Sequence, residues 1–240
     1  DDFVVNRGEL KSVIAGYPWF LDWGRDALIF VRGLVAAGKM ADARDIIMQF
    51  ARFEKQGTLP NMIQADNAAN RDTSDAPLWL IAACADWVRA GTDEPFLDSD
   101  CGGRSMRQIL LSIGQSIKAG TPNGVRMYPQ SGLVFSPTHF SWMDTDHPAG
   151  TPRQGYPIEI QALWFAALGF LARIDRAVIV FFSDVVLTGM MSMMVNEPPS
   201  PVPGILTGAS IRTRVSRNLI FSALSTAVLL SSVPSASSLV

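Results

Sequence analysis

The sequence predicts an all-α fold, and three observations carry that expectation. Five segments place apolar side chains at helical spacing, three of those segments stop at a glycine, and no long β-alternating run competes with them. The chain has 240 residues, 48% of them hydrophobic and 18% charged, so it can bury a substantial core and does not have the composition of a disordered protein.

Residues 25–38 bring Leu28, Ile29, Val31, Leu34 and Val35 close to i, i+3, i+4, i+7 spacing, with Gly38 as the stop. Residues 39–55 repeat the pattern with Met40, Ala43, Ile46, Ile47, Phe50 and Phe53. Residues 76–90 carry Leu80, Ile81, Cys84, Trp87 and Val88 and end at Gly91. Residues 104–119 carry Met106, Ile109, Leu110, Ile113 and Ile117 and end at Gly120. Residues 158–174 complete the set with Ile160, Leu163, Trp164, Ala167, Leu168 and Leu171. Short extended pieces are expected at 125–128 and 133–135, around a Ser-Gly turn.

Three polar, aromatic-rich segments (17–26, 67–75 and 141–157) each lead directly into a helix. Helix N-termini gathered at one end offer unpaired N–H groups and a positive dipole, which suits a polar cleft. Ordinary capping produces the same pattern.

A formal net charge of −2 gives no electrostatic case for nucleic acid or an anionic membrane, so a neutral or small partner is expected. Cys84 falls in an apolar helical pattern and Cys101 in a polar loop; both are expected to be free thiols, as in a reducing, cytoplasmic compartment. His139 and His147 are not joined by a cysteine or histidine cluster, so neither a metal nor a cofactor is expected. The chain opens Asp1-Asp2 inside a patterned segment, without Met or a charged-then-apolar leader, and is expected to be a fragment.

Texture changes after Arg176. Residues 177–195 are apolar apart from Asp184 and include Met190, Met191, Met193 and Met194; Pro198, Pro199, Pro201 and Pro203 follow, then Arg212, Arg214 and Arg217 and a Ser/Val/Leu end. The apolar run has the length of a minimal membrane span, but it has a central acid and no aromatic anchors, so no membrane is expected and 177–195 stands as a weak exception. The tail can be a membrane helix, an added module, or sequence that is not the native continuation, such as a shifted frame. Composition and periodicity break at one point, which favours the last.

Four clusters can carry chemistry. Trp23-Gly24-Arg25-Asp26 stands at a loop-to-helix junction and can stack on a sugar ring and bond its hydroxyls. The plainer reading has Asp26 capping the helix and Arg25 pairing with a nearby acid. Asn67, Arg71, Asp72, Ser74 and Asp75 form a polar cluster before a helix, in which Asp72-Thr73-Ser74-Asp75 reads as an N-cap region, with Trp79 one turn in as a core residue. Asp144, in Ser141-Trp142-Met143-Asp144-Thr145-Asp146-His147, has the setting of a general acid, since partial burial beside an aromatic raises a carboxyl pKa. Asp146 and His147 read as solvated loop charge. In Thr151-Pro152-Arg153 through Ile158-Glu159-Ile160-Gln161-Ala162-Leu163-Trp164, Pro157 can start the helix and Glu159 suits its dipole.

In order, these motifs resemble one family. Tyr17-Pro18-Trp19-Phe20, Trp23-Gly24-Arg25-Asp26, Leu59-Pro60-Asn61, Ser74-Asp75-Ala76, Leu78-Trp79, Trp142-Met143-Asp144, Thr151-Pro152-Arg153 and Glu159-Ile160-Gln161-Ala162-Leu163-Trp164 resemble the glucosidase domain of glycogen debranching enzymes. Asp2-Phe3-Val4-Val5 with Arg7-Gly8-Glu9 resembles that domain's lead-in. The resemblance covers residues 1–175 and leaves 176–240 as an atypical tail.

The resemblance implies a partial (α/α)6 toroid of antiparallel helix pairs, the N-terminal half of the domain. It implies hydrolysis of α-1,6-linked glucose at a branch of glycogen or maltodextrin. Asp144 would be the catalytic acid. Trp23, Arg25 and Asp26 would contact the terminal glucose, with Asp75, Trp142, Arg153 and Glu159 lining the cleft. Ser141 stands where the family often has Thr, and Asp146-His147 where a Lys is common. The family's second carboxylate lies far downstream and has no counterpart here, since neither Asp184 nor Glu197 has a catalytic context, so this chain is expected to be inactive. The alternatives are another α/α-toroid sugar hydrolase, invertase- or trehalase-like, and a non-catalytic carbohydrate-binding remnant. All six tryptophans precede residue 165, which suits either.

Overall fold

Five helices form where the apolar spacing places them, in a computed structural model that describes residues 2–64, 67–91, 94–145 and 150–175. They are α1 (Gly24–Ala36), α2 (Met40–Ala51), α3 (Ala76–Arg89), α4 (Met106–Ala119) and α5 (Ile158–Ile174). Expectations for Asp146, His147 and the 176–240 tail, the apolar run included, lie outside the described residues. No described helix is long and apolar enough to cross a membrane.

Local chemistry accounts for the helix ends. After α1, the Gly38 N–H donates to the Val35 carbonyl and the Lys39 N–H to that of Leu34, the paired bonds of a Schellman stop, with Gly38 at φ 73°. The chain re-enters α2 at once. That helix ends at Ala51, four residues before its expected limit, because side chains capture the next carbonyls. Arg71 Nη2 donates to the Phe53 carbonyl at 2.8 Å and Arg104 Nη2 to that of Glu54 at 2.9 Å. Helix α4 starts at Met106, later than expected, because Ser105 and Gln108 form a reciprocal capping box.

Small sheets complete the fold. Strands β1 (Val4–Arg7) and β2 (Leu10–Val13) form an antiparallel hairpin in register Arg7↔Leu10, which the helical reading did not anticipate. Strand β3 (Asp22–Trp23) pairs with β4 (Met62–Ile63). The expected extended pieces contract to β5 (Arg126–Met127) and β6 (Val134–Phe135). A 3-10 turn covers Glu94–Asp98.

The core forms where the helices meet. Helix α1 packs on α2 and α3, α3 also on α5, and α4 on α5. Leu28, Val31, Ile46, Ile47, Phe50, Leu80, Ile81, Ile109, Leu110 and Ile113 are fully buried, so the side chains that set the helical period supply the core. Two ion pairs fix the relative direction of α1 and α3. Arg25 meets Asp75 at the start of both, and about two turns along α1 and three along α3 Arg32 Nε meets Asp86 at 2.5 Å with its guanidinium over the Trp79 ring. The two helices therefore run side by side in the same sense. Trp79 is half-buried against the core and covered by a cation on its outer side.

Cys84 and Cys101 are both free and buried; the Cys101 thiol donates to the Met48 carbonyl at 3.6 Å. The loop around Cys101 is polar, but its sulfur turns inward.

Candidate active site

Gly24 explains how the first motif is held. Its N–H donates to the Asn61 carbonyl at 2.8 Å, and a Cβ on Gly24 would lie 2.7 Å from the Pro60 carbonyl oxygen. The Leu59-Pro60-Asn61 segment thus clamps the first turn of α1. Trp23, just before it, is half-buried in β3 and is the N-cap residue. Asp26 does not cap this helix; it sits inside the first turn, exposed, and joins neither cluster described below.

Arg25 lies at the centre of the first cluster. Its Nε donates to Asp75 Oδ2 at 2.5 Å and its Nη1 to Asp144 Oδ2 at 3.3 Å. The Arg25 and Asp75 side chains are 12% and 4% exposed and that of Asp144 is 27% exposed, so the pair at the base is dry and the Asp144 carboxylate reaches solvent. Burial works against the Arg25 charge, but Asp75 and then Asp144 outweigh it and hold the guanidinium above its ordinary pKa. The remaining nitrogen, Nη2, is buried and meets no acceptor among the described residues.

Asp75 does not cap α3 with its side chain; that work falls to Thr73. The Thr73 hydroxyl donates to Asp75 Oδ1 at 2.8 Å and accepts the Ala76 N–H at 3.2 Å. One carboxylate oxygen of Asp75 therefore faces Thr73 and the other faces Arg25. The sequence places Thr73 inside the N-cap region Asp72-Thr73-Ser74-Asp75, without separating it from its neighbours. A hydroxyl residue just ahead of a helix was the available signal.

A second cluster gathers Trp142, Arg153 and Glu159 at the start of α5. Arg153 grips Glu159 with two bonds, Nε to Oε1 at 2.8 Å and Nη2 to Oε2, and its guanidinium lies 5.8 Å from the Trp142 ring centroid. Burial would raise the Glu159 pKa, but bonds from Arg153, its own backbone N–H and the Trp142 indole carry it below the ordinary carboxylate value. Arg153 sits at φ 48°, a left-handed conformation that costs a non-glycine residue energy and persists where contacts over-determine it.

The loops join the clusters. The Ser74 N–H donates to the Phe140 carbonyl at 2.7 Å, and the Ser74 and Ser136 hydroxyls lie 2.8 Å apart. Ser136 and Gly155 exchange backbone bonds at 2.7 and 2.9 Å, and the His139 N–H meets the Pro152 carbonyl at 2.9 Å. The starts of α1, α3 and α5 thus share one end of the fold, and Asp144 projects from the loop between the two clusters. Asn67, Arg71 and Asp72 stay outside it: Arg71 is spent on Thr58 and Phe53, and Asn67 and Asp72 are exposed. No group of three His, Cys, Asp or Glu side chains able to hold a metal occurs among the described residues.

Residues 1–184 match the family described as amylo-alpha-1,6-glucosidase. The chain belongs to that family. The match runs past the change of texture and ends within the apolar run. One curated relative is the glycogen debranching enzyme of Saccharomyces cerevisiae, 24% identical over 235 residues. That alignment covers 73% of this chain and 15% of the yeast protein, so the chain spans a small part of its relative. As a family member, the chain carries its acids, arginines and aromatic rings where three helix starts converge.

Proposed function

We propose that this chain is part of a glycoside hydrolase that removes α-1,6-linked glucose from glycogen or maltodextrin branch points, with Asp144 as general acid. The observation that carries the reading is the shared guanidinium of Arg25, which ties a carboxylate of the α3 start to one in the Asp144 loop beside an exposed aromatic. Asp144 is the one of the paired acids with a route to solvent, the disposition an acid needs to reach a glycosidic oxygen. Trp142 offers a face for a sugar ring, and Trp23, Arg25, Asp26, Asp75, Arg153 and Glu159 are assigned to binding and to shaping the cleft.

In an inverting hydrolase a second carboxylate stands ~6.5–9.5 Å from the first, leaving room for water. Asp75 is shut in between Thr73 and Arg25, and Arg153 holds both oxygens of Glu159, which disfavours either as base. We therefore expect this chain to be inactive by itself. Co-oriented α1 and α3, with the start of α5 beside them, suit one arc of an (α/α)6 toroid. The glucosidase portion is assigned to residues 1–175 and the tail to sequence that is not native continuation. The encoding nucleotide sequence around residue 176, read in all frames, tests that assignment. The free thiols agree with a cytoplasmic setting.

The deciding experiment assays glucose release from a branched limit dextrin by this chain and by its full-length parent, with sucrose and trehalose in parallel. Release by the parent from dextrin alone is expected. Turnover of sucrose or trehalose would move the protein to the invertase- or trehalase-like group, and binding without turnover by the parent would make it a carbohydrate-binding remnant. Release by this chain would overturn the inactivity.

A further inference from the structure

Residues 68–75 form neither helix nor strand, yet they carry Thr73 and Asp75 into the first cluster. Contacts from elsewhere must therefore fix this backbone. On one side the Arg71 side chain donates to the Thr58 carbonyl and hydroxyl, both at 2.9 Å, and to the Phe53 carbonyl at 2.8 Å. On the other side stands Asn123, in the turn that follows α4.

Asn123 Nδ2 donates to the Arg71 carbonyl at 2.6 Å and to the Thr73 carbonyl at 3.3 Å. A side-chain amide nitrogen has two hydrogens, one for each oxygen. The amide is held in this sense, because its Oδ1 accepts the Thr121 hydroxyl at 2.6 Å. Turned over, it would press Oδ1 on two carbonyl oxygens. The turn is closed by the Gly124 N–H on the Thr121 carbonyl at 3.0 Å, with Gly124 at φ 90°. The amide is thus carried on the end of α4.

Thr73 is the residue that this clamp governs. Asn123 holds its carbonyl, and the Arg71 carbonyl accepts its N–H at 2.8 Å. Its hydroxyl is thereby set between Asp75 Oδ1 and the Ala76 N–H. Thr73 is 1% exposed, so water does not compete for that hydroxyl. With Oδ1 occupied, Asp75 presents Oδ2 to Arg25, and Arg25 keeps Nη1 for Asp144. Without the Thr73 bond the Asp75 carboxylate would regain rotation, and the guanidinium it holds would move with it.

We infer that Asn123 is a positioning residue for the candidate active site: through Thr73 it fixes the Asp75 carboxylate and so keeps Arg25 in reach of Asp144. The role of Asp144 as acid rests on the hydrolase reading above. Asn123 acts through another residue, from 50 positions beyond Thr73 in the chain.

Hydrogen exchange at the Arg25 Nε–H, followed by NMR in this chain, reads the placement without any turnover. Asn123→Ala is expected to speed that exchange about tenfold, the worth of one lost buried hydrogen bond. Thr121→Val keeps the volume and frees only the amide; it is expected to act in the same direction, and it decides the matter if Asn123→Ala does not fold. Ile109 is fully buried near the opposite end of α4, so Ile109→Val and Ile109→Ala report loss of stability alone. Both should leave the Arg25 rate within about twofold of wild type. An unchanged rate in Asn123→Ala and Thr121→Val, or an equal rise in the Ile109 variants, would overturn the inference. In the full-length parent, Asn123→Ala should lower dextrin turnover about tenfold or more, with Ile109→Ala near wild type; wild-type turnover in Asn123→Ala would overturn it as well. A wild-type parent without activity would sink the hydrolase reading instead, and the exchange rates would still decide whether Asn123 places Arg25.

Discussion

Arg25 and Asp144 stand 119 positions apart in the chain and meet at 3.3 Å, with Asp75 closing the other side of the guanidinium. Each partner comes from a different helix start or loop, so this small cluster reports on the placement of three segments at once. Its energetics are those of a buried ion pair, in which losing one member costs more than the pair itself contributes.

Asp75→Asn should therefore destabilise the fold by about 3–5 kcal/mol, because Arg25 would keep its buried charge with only the partly exposed Asp144 opposite. Urea unfolding of the chain measures this. Thr73→Val should cost less, about 1–2 kcal/mol, from the lost α3 cap and the loosened carboxylate. A Thr73→Ser variant should recover most of that loss.

In the full-length parent, Asp144→Asn should leave dextrin binding near wild type and lower turnover by about 10²–10⁴, the usual worth of a general acid. Steady-state kinetics alongside equilibrium binding separate the two. A parallel loss of affinity and turnover would make Asp144 a binding residue.

Acid should weaken the fold through Glu159. Its pKa is lower in the folded chain than the ordinary ~4.3 of the unfolded one, so the unfolded state binds the extra proton as pH falls. The stabilisation is complete above the unfolded value and drains away as pH drops through the folded value. Melting temperatures taken from pH 6 downward, wild type against Glu159→Gln, should converge at the acid end.

Both thiols should resist a thiol-disulfide reagent in the native chain. Cys84 and Cys101 are buried, and desolvation pushes both pKa values upward, more strongly for Cys84, so little thiolate forms. Titration should find almost no reactive sulfur before unfolding and both cysteines after it.

The helices could be read from sequence because their apolar faces repeat at the period of the backbone, and α5 falls at 158–174 as expected. Helix ends were less visible where distant side chains decide them. Arg71 and Arg104, which take up carbonyls just past α2, lie many residues downstream. The β1–β2 hairpin escaped notice because four residues per strand give no clear alternation. At the site, the residue types were readable from motifs, but their grouping was not. Nothing local to Arg25 names Asp75 or Asp144 as its partner, and nothing local to Asp26 reveals that it stands apart from both clusters.

One nitrogen of Arg25 has a further consequence. Nη2 is sealed from water and meets no acceptor among the described residues, while its sister nitrogens are both engaged. Under the proposed glucose contact at Arg25, a sugar oxygen would have to reach this nitrogen to satisfy it. A deoxy analogue would forfeit more than one contact, because the stranded donor would stay buried and unmet. Discrimination at this end of the fold would then be a penalty on the wrong sugar more than a reward for the right one.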